Sequence, residues 1–158
     1  MSYQWSAALT LHQLGTLIWV GGMFFAHFAL RPALGRLFDP TERLPVMMAV
    51  FQRFFPYVWG AIVLLWGSGL WIFLGLFGGK AGMHVHAMMG LAAIMTVIFC
   101  YIWFMPYRQM RAAMSEEDWP AAGSRLTLIR WLILANLLLG LVTAVLGAAG
   151  PALLASGS

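Results

Sequence analysis

The sequence predicts an all-α membrane protein: a four-transmembrane-helix bundle with both termini outside and cytoplasmic interfacial helices in its first and third connections. Composition is the first reason, since 62% of the 158 residues are hydrophobic and 9% are charged, against roughly 25% charged in a soluble domain. The second is four charge-free apolar stretches, about 7–30, 56–77, 83–105 and 131–154. Each can cross a hydrocarbon layer of ~30 Å at ~1.5 Å per residue. The third is the placement of the nine basic residues. Arg31, Arg36, Arg43 and Arg53 lie between the first two spans, Arg108, Arg111, Arg125 and Arg130 lie between the last two, and Lys80 is alone in the second connection. With four spans both arginine-rich connections fall on one face, which the positive-inside rule assigns to the cytoplasm. The whole of 1–158 reads as a single membrane domain.

This composition excludes a nucleic-acid-binding module, a phosphate-loop enzyme and a dinucleotide-binding fold. The single cysteine, Cys100, excludes an intrachain disulfide framework. No Lys or Arg precedes the first apolar run, and the run is too long for a leader, so it reads as a retained span. In the first connection Asp39, Pro40 and Glu42 fit an N-cap, first and third helical positions. Leu44, Met47, Met48, Phe51, Phe54 and Phe55 then recur at helical spacing, predicting an amphipathic helix on the cytoplasmic surface that kinks or restarts at Pro45. In the third connection Ser115 and Asp118 read as a capping box for a polar helix through Arg125. Many of the 17 glycines fall inside spans, where small residues permit close helix packing. No repeat relates the two halves, so an inverted-repeat transporter gains no support.

The four histidines are the most informative residues, because an ionisable group in a span is costly and tends to face the bundle interior. His12, His84 and His86 fall within roughly 10 Å of the outer interface, and His27, fifteen residues beyond His12, lies ~22 Å deeper. Three histidines outside and one inside cannot hold two bis-histidine haems stacked across a membrane. At ~100° per residue His84 and His86 point to opposite sides of their helix. The His86 side continues through Met89, Gly90, Ala93, Val97 and Cys100, a small-residue face that predicts an inward His86. The His84 side, through Met88, Leu91, Met95 and Phe99, predicts a lipid-facing or ordinary packing surface. His12 shares a stripe with Thr16, Trp19, Met23 and His27.

Two chemistries suit a His12–His86 pair at equal depth. One is axial ligation of haem b for electron transfer or oxidation, with Lys80 meeting a propionate and a quinone or periplasmic redox protein as partner. The other is copper handling, in which His12, His86 and His84 join Met88 and Met23 as imidazole and thioether donors for Cu(I), taken from a periplasmic copper partner. A third reading is a cofactor-free structural or assembly subunit. Arg31, followed by Pro32, reads as a snorkelling interfacial arginine or an anion ligand. Every acid, from Asp39 to Asp118, lies in a connection, so no carboxylate relay crosses the spans.

Leu11-His12, Trp19-Val20-Gly21-Gly22-Met23 and Leu30-Arg31-Pro32, with Gln52-Arg53-Phe54-Phe55-Pro56, His84-Val85-His86-Ala87-Met88 and Trp119-Pro120-Ala121, resemble the CopD-like family of bacterial inner-membrane proteins. That resemblance implies copper handling, without the large periplasmic and additional membrane portions many members carry, and a stand-alone transporter of four short helices is expected to form a homo-oligomer. A more distant likeness, through His12, Trp19, Gly22 and Arg31, is to the HemJ family of haem-binding membrane protoporphyrinogen oxidases. The His-x-Lys element of that family's third span is replaced here by His84-Val85-His86.

Overall fold

The computed structural model describes residues 2–155, which form helices joined by short turns, with no strand among them. Helix α1 runs Tyr3–Leu37 and contains two π-helical turns, Leu17–Gly21 and Ala26–Leu30. Helix α2 runs Pro40–Leu70 and continues through a π-helical turn over Trp71–Leu76. Helices α3 (Met83–Phe104), α4 (Pro106–Ser115) and α5 (Trp119–Ala155) follow. Four of these segments are long and apolar enough to cross a membrane. Leu17, Phe25, Val63, Val97 and Val145 leave large apolar side chains exposed on their outward faces, the arrangement a lipid solvent stabilises.

The core is aromatic. Phe55 is 1% exposed, stacks on Phe51 at 5.0 Å between ring centroids, and meets Phe99 and Tyr107 edge-on at 5.4 and 5.1 Å. Phe99 in turn takes Trp19 and Trp59 edge-on. One cluster therefore ties α1, α2, α3 and α4 together, and Ile129, Ile133 and Leu137 of α5 join it.

The third apolar stretch coincides with α3, and the other three are parts of longer helices. At ~1.5 Å per residue the 35 residues of α1 span about 52 Å, well beyond the hydrocarbon thickness, and the first connection shrinks to Phe38 and Asp39. There is accordingly no separate surface helix at its start. The capping box of Asp39 and Glu42 forms with Pro40 in the first turn, but the helix it starts is α2 itself, which passes Pro45 and Pro56 without a break. The amphipathic face read as a membrane-surface helix is buried: Leu44, Met47, Met48, Phe51 and Phe55 pack into the bundle. Pro45 is tolerated because the carbonyl it frees belongs to exposed Thr41, in the open first turn.

The third connection differs in the same direction. α3 ends at Met105, where φ −115° and ψ −88° break the helix before Pro106, and α4 lays Tyr107 and Met110 into the core while Arg108 and Arg111 stay exposed. Ser115 caps nothing, its hydroxyl donating to the Ala112 carbonyl. Asp118 alone is the cap, accepting the Ala121 N–H at 3.1 Å, and the polar segment through Arg125 is the first part of α5. The α4 end is closed by a Schellman pair, Asp118 N–H to Ala113 O and Glu117 N–H to Met114 O. Glu117 sits at the left-handed position, φ 58°, where glycine is at home. Glu117→Gly is expected to raise stability by about 0.5–1 kcal/mol, read as an upward shift in the thermal melt of the detergent-solubilised protein.

The phase of α3 is the reverse of the expectation. Met95 and Phe99, on the His84 side, are 4% and 3% exposed, whereas Val97, on the His86 side, is 67% exposed. In lipid no hydrophobic gain separates an inward from an outward face, so shape decides, and the bulky His84 side interdigitates with the glycines of α5. The Met95 and Met88 methyl groups lie 3.1 and 3.0 Å from where a Cβ on Gly140 and Gly147 would be. The α1 stripe stands as read, with Trp19 and Met23 buried and His12, Thr16 and His27 half-buried.

Candidate metal site at the histidine end

Because the spans alternate in direction, the end of α2, the start of α3 and Lys80 share one end of the bundle, and the eight arginines gather at the other. His12 lies at the first of these ends, half-buried against α2. Its Nδ1 is 3.0 Å from Ser68 Oγ, and its ring occupies the space left by Gly69, whose added Cβ would meet His12 Cε1 at 3.4 Å. The Ser68 hydroxyl donates to the Leu64 carbonyl, so toward the imidazole it accepts. On this pattern we assign the proton to Nδ1 and the lone pair of His12 to Nε2.

His86 touches the π-helical extension of α2 at Phe73. Its ring meets Phe73 edge-on at 5.5 Å, one turn beyond Gly69, and its Nδ1 lies 3.3 Å from the Gly82 carbonyl. A carbonyl only accepts, so here too Nδ1 carries the proton and Nε2 the lone pair. Metal-binding imidazoles are held this way, by an oxygen acceptor on the nitrogen away from the metal. His86 is nevertheless exposed and His84 the more enclosed of the two, opposite to the helical-phase expectation.

His84 Nδ1 is buried without a hydrogen-bond partner among the described residues. Met88 follows one turn deeper on the same face, its sulfur 3.7 Å from a Cβ position on Gly147, and Met95 lies two turns further, where Asn136 Nδ2 donates to its carbonyl at 3.2 Å. Asn136 Oδ1 is buried with no hydrogen-bond partner among the described residues. Lys80 is exposed. Met23 is buried deeper along α1, away from this end. His27 is not in the group: it sits at the arginine end beside Phe28, and Asn136, bonded to Met95, does not reach it. Among the described residues no three His, Cys, Asp or Glu side chains are grouped as a ready-made metal cage.

Sequence reading missed the wall contributed by α2. Ser68 is a buried polar residue in an otherwise apolar span, flanked by Gly67 and Gly69, and that Gly-Ser-Gly step was the available signal.

Four apolar spans and an intramembrane histidine end define a multi-pass membrane protein. The sequence model for copper resistance protein D matches residues 48–150, and the chain belongs to that family. The match takes in His84, His86 and Met88 and begins after the α1 residues His12 and Met23. No curated protein and no solved structure matches the chain. The family links the protein to copper resistance and gives no support to a haem held between His12 and His86.

Proposed function

We propose that the protein handles copper at a bacterial inner membrane, taking Cu(I) at the histidine end from the periplasmic side, with the arginine end in the cytoplasm as the positive-inside rule requires. The observation that carries the reading is the pair of imidazoles, His12 and His86, both packed on α2 and its extension, each with Nδ1 within hydrogen-bond reach of an oxygen, which directs the Nε2 lone pair to a ligand. Neutral imidazole with thioether is a donor set suited to Cu(I). His84 and Met88 add a third nitrogen and a sulfur along the seam between α3 and α5. The ion is cargo in this reading. The thioethers of Met88, Met95 and Met23 offer soft, uncharged donors at increasing depth, where a carboxylate would bind too hard and cost too much to bury.

The test is Cu(I) affinity of the detergent-purified protein in competition with bicinchoninate. His12→Ala and His86→Ala are each expected to weaken binding about tenfold or more, and Ser68→Ala, which frees the His12 ring without removing it, about tenfold. Lys80→Ala leaves affinity unchanged. Variants that bind copper as the wild type does would overturn the assignment, and so would a Soret band at about one haem per chain that vanishes in His86→Ala.

A further inference from the structure

We propose that the arginine end holds a site for a phosphate-bearing anion, in an open cavity of about 580 Å³ lined by the end of α1, the start of α2 and the start of α5. Arg31, Arg43 and Arg130, one from each helix, line it, and no carboxylate does. The burial of the eight arginines sorts them into two kinds. Arg36, Arg53, Arg108, Arg111 and Arg125 are exposed, as snorkelling interfacial residues should be, whereas Arg31, Arg43 and Arg130 are half-buried and converge on the one cavity.

Gathering three like charges in a concavity is unfavourable without a counter-ion. Arg31 and Arg43 both act on Arg130 by charge repulsion. Arg130 Nε is buried with no partner among the described residues, a donor left unsatisfied by the protein itself. The Arg43 guanidinium crosses to α1, its Nη1 3.5 Å from where a Cβ on Gly35 would stand, and His27 borders a small adjoining space with Arg31 and Arg130.

The geometry selects the ligand class. One carboxylate is satisfied by a single guanidinium fork, but three forks from three helices match the several oxygens of a phosphate. The volume is that of a small-molecule pocket, larger than a phosphate needs, and the rest of the wall is apolar, with Leu44, Met47, Leu126 and Trp119. The occupant therefore carries a neutral or apolar body beside its phosphate. At the membrane-facing ends of three spans, two sources share this chemistry: the headgroup of an anionic phospholipid and a soluble phosphate ester.

Binding is measured by native mass spectrometry and thermal melts on the full chain in neutral detergent, with phosphatidylglycerol, phosphatidylcholine, glycerol phosphate and inorganic phosphate as probes. Phosphatidylglycerol is expected to bind and stabilise in preference to phosphatidylcholine, whose choline cation would face three guanidiniums. Arg130→Gln and Arg43→Gln are each expected to weaken it by about tenfold, and Arg31→Lys, which keeps the charge and loses the fork, should also weaken it. Arg36→Gln and Arg53→Gln leave it unchanged. Stabilisation by glycerol phosphate or inorganic phosphate, lost in the same variants, supports the site with a soluble ligand. Equal binding of the two lipids with no effect of either phosphate overturns it, as does an equal loss in Arg36→Gln and Arg130→Gln, which would reduce the effect to net charge.

Discussion

Phe55→Ala is expected to destabilise the bundle by about 3–5 kcal/mol. The ring is 1% exposed and touches Phe51, Phe99, Trp103 and Tyr107, so its removal takes out the ring that meets both α3 and α4, and leaves Trp59 against α3 and Phe51 against α4 as the remaining aromatic links from α2. In a bilayer the hydrophobic transfer part of such a loss is small, because lipid is as apolar as the core. What remains is packing. A residual cavity of roughly 100 Å³ costs about 2 kcal/mol at ~24 cal/mol per Å³, and each lost edge-on or stacked ring pair contributes about 0.5–1.5 kcal/mol. The measurement is thermal unfolding in detergent, followed by labelling of Cys100, the one thiol of the chain. A melting temperature unchanged from wild type would mean that the aromatic cluster does not hold the helices together. Tyr57→Ala, on an exposed face of the same helix, should be silent and controls for the loss of an aromatic ring as such.

How far the sequence could be read depended on which forces leave a pattern in it. Hydropathy and charge placement gave four spans and the separation of a histidine end from an arginine end, because the cost of a charge in hydrocarbon is large and written residue by residue. Capping chemistry placed Asp39, Pro40 and Glu42 correctly, since the box is local. The amphipathic run from Leu44 to Phe55 was legible as a helix but not as part of α2: a face that packs on Tyr107 and Met110 has the same period as one that lies on lipid headgroups. The facing of α3 was misread for a related reason. Small residues at Gly90, Ala93 and Val97 suggest close packing, yet the glycines that receive a neighbour are Gly140 and Gly147 on α5, and which helix supplies the groove is decided by both surfaces together. For the candidate site, His12 and His86 were visible as residue types at matching depth. The partner of His12 was not, because Ser68 reaches it from another helix, whereas Gly82 lies one turn before His86 on its own helix. The convergence of Arg31, Arg43 and Arg130 was equally hidden, since eight arginines look alike until burial separates three of them.

The close approach of α1 to α2 links stability to the histidine end, and Gly15→Leu tests both. A Cβ at Gly15 would stand 2.9 Å from Leu65 Cγ and 3.2 Å from the Ala61 carbonyl oxygen. The Leu65 side chain can turn away. The carbonyl belongs to the α2 backbone and cannot, so α1 must withdraw, at an overpacking cost of about 1–3 kcal/mol. His12 lies one turn earlier on the same face of α1, and its 3.0 Å contact with Ser68 lengthens as the helices part. Gly15→Leu is therefore expected to lower the melting temperature and to weaken Cu(I) binding in the still-folded protein, although the substituted residue carries no donor. Gly21→Leu is the matched control: its added Cβ meets nothing within 4 Å, and in lipid an exposed leucine there is harmless. If Gly15→Leu melts with Gly21→Leu, the two helices do not meet as closely as Gly15 requires. If it melts lower but keeps its copper affinity, the His12 imidazole is not a ligand, and the soft donors must be sought along the seam of His84 and Met88.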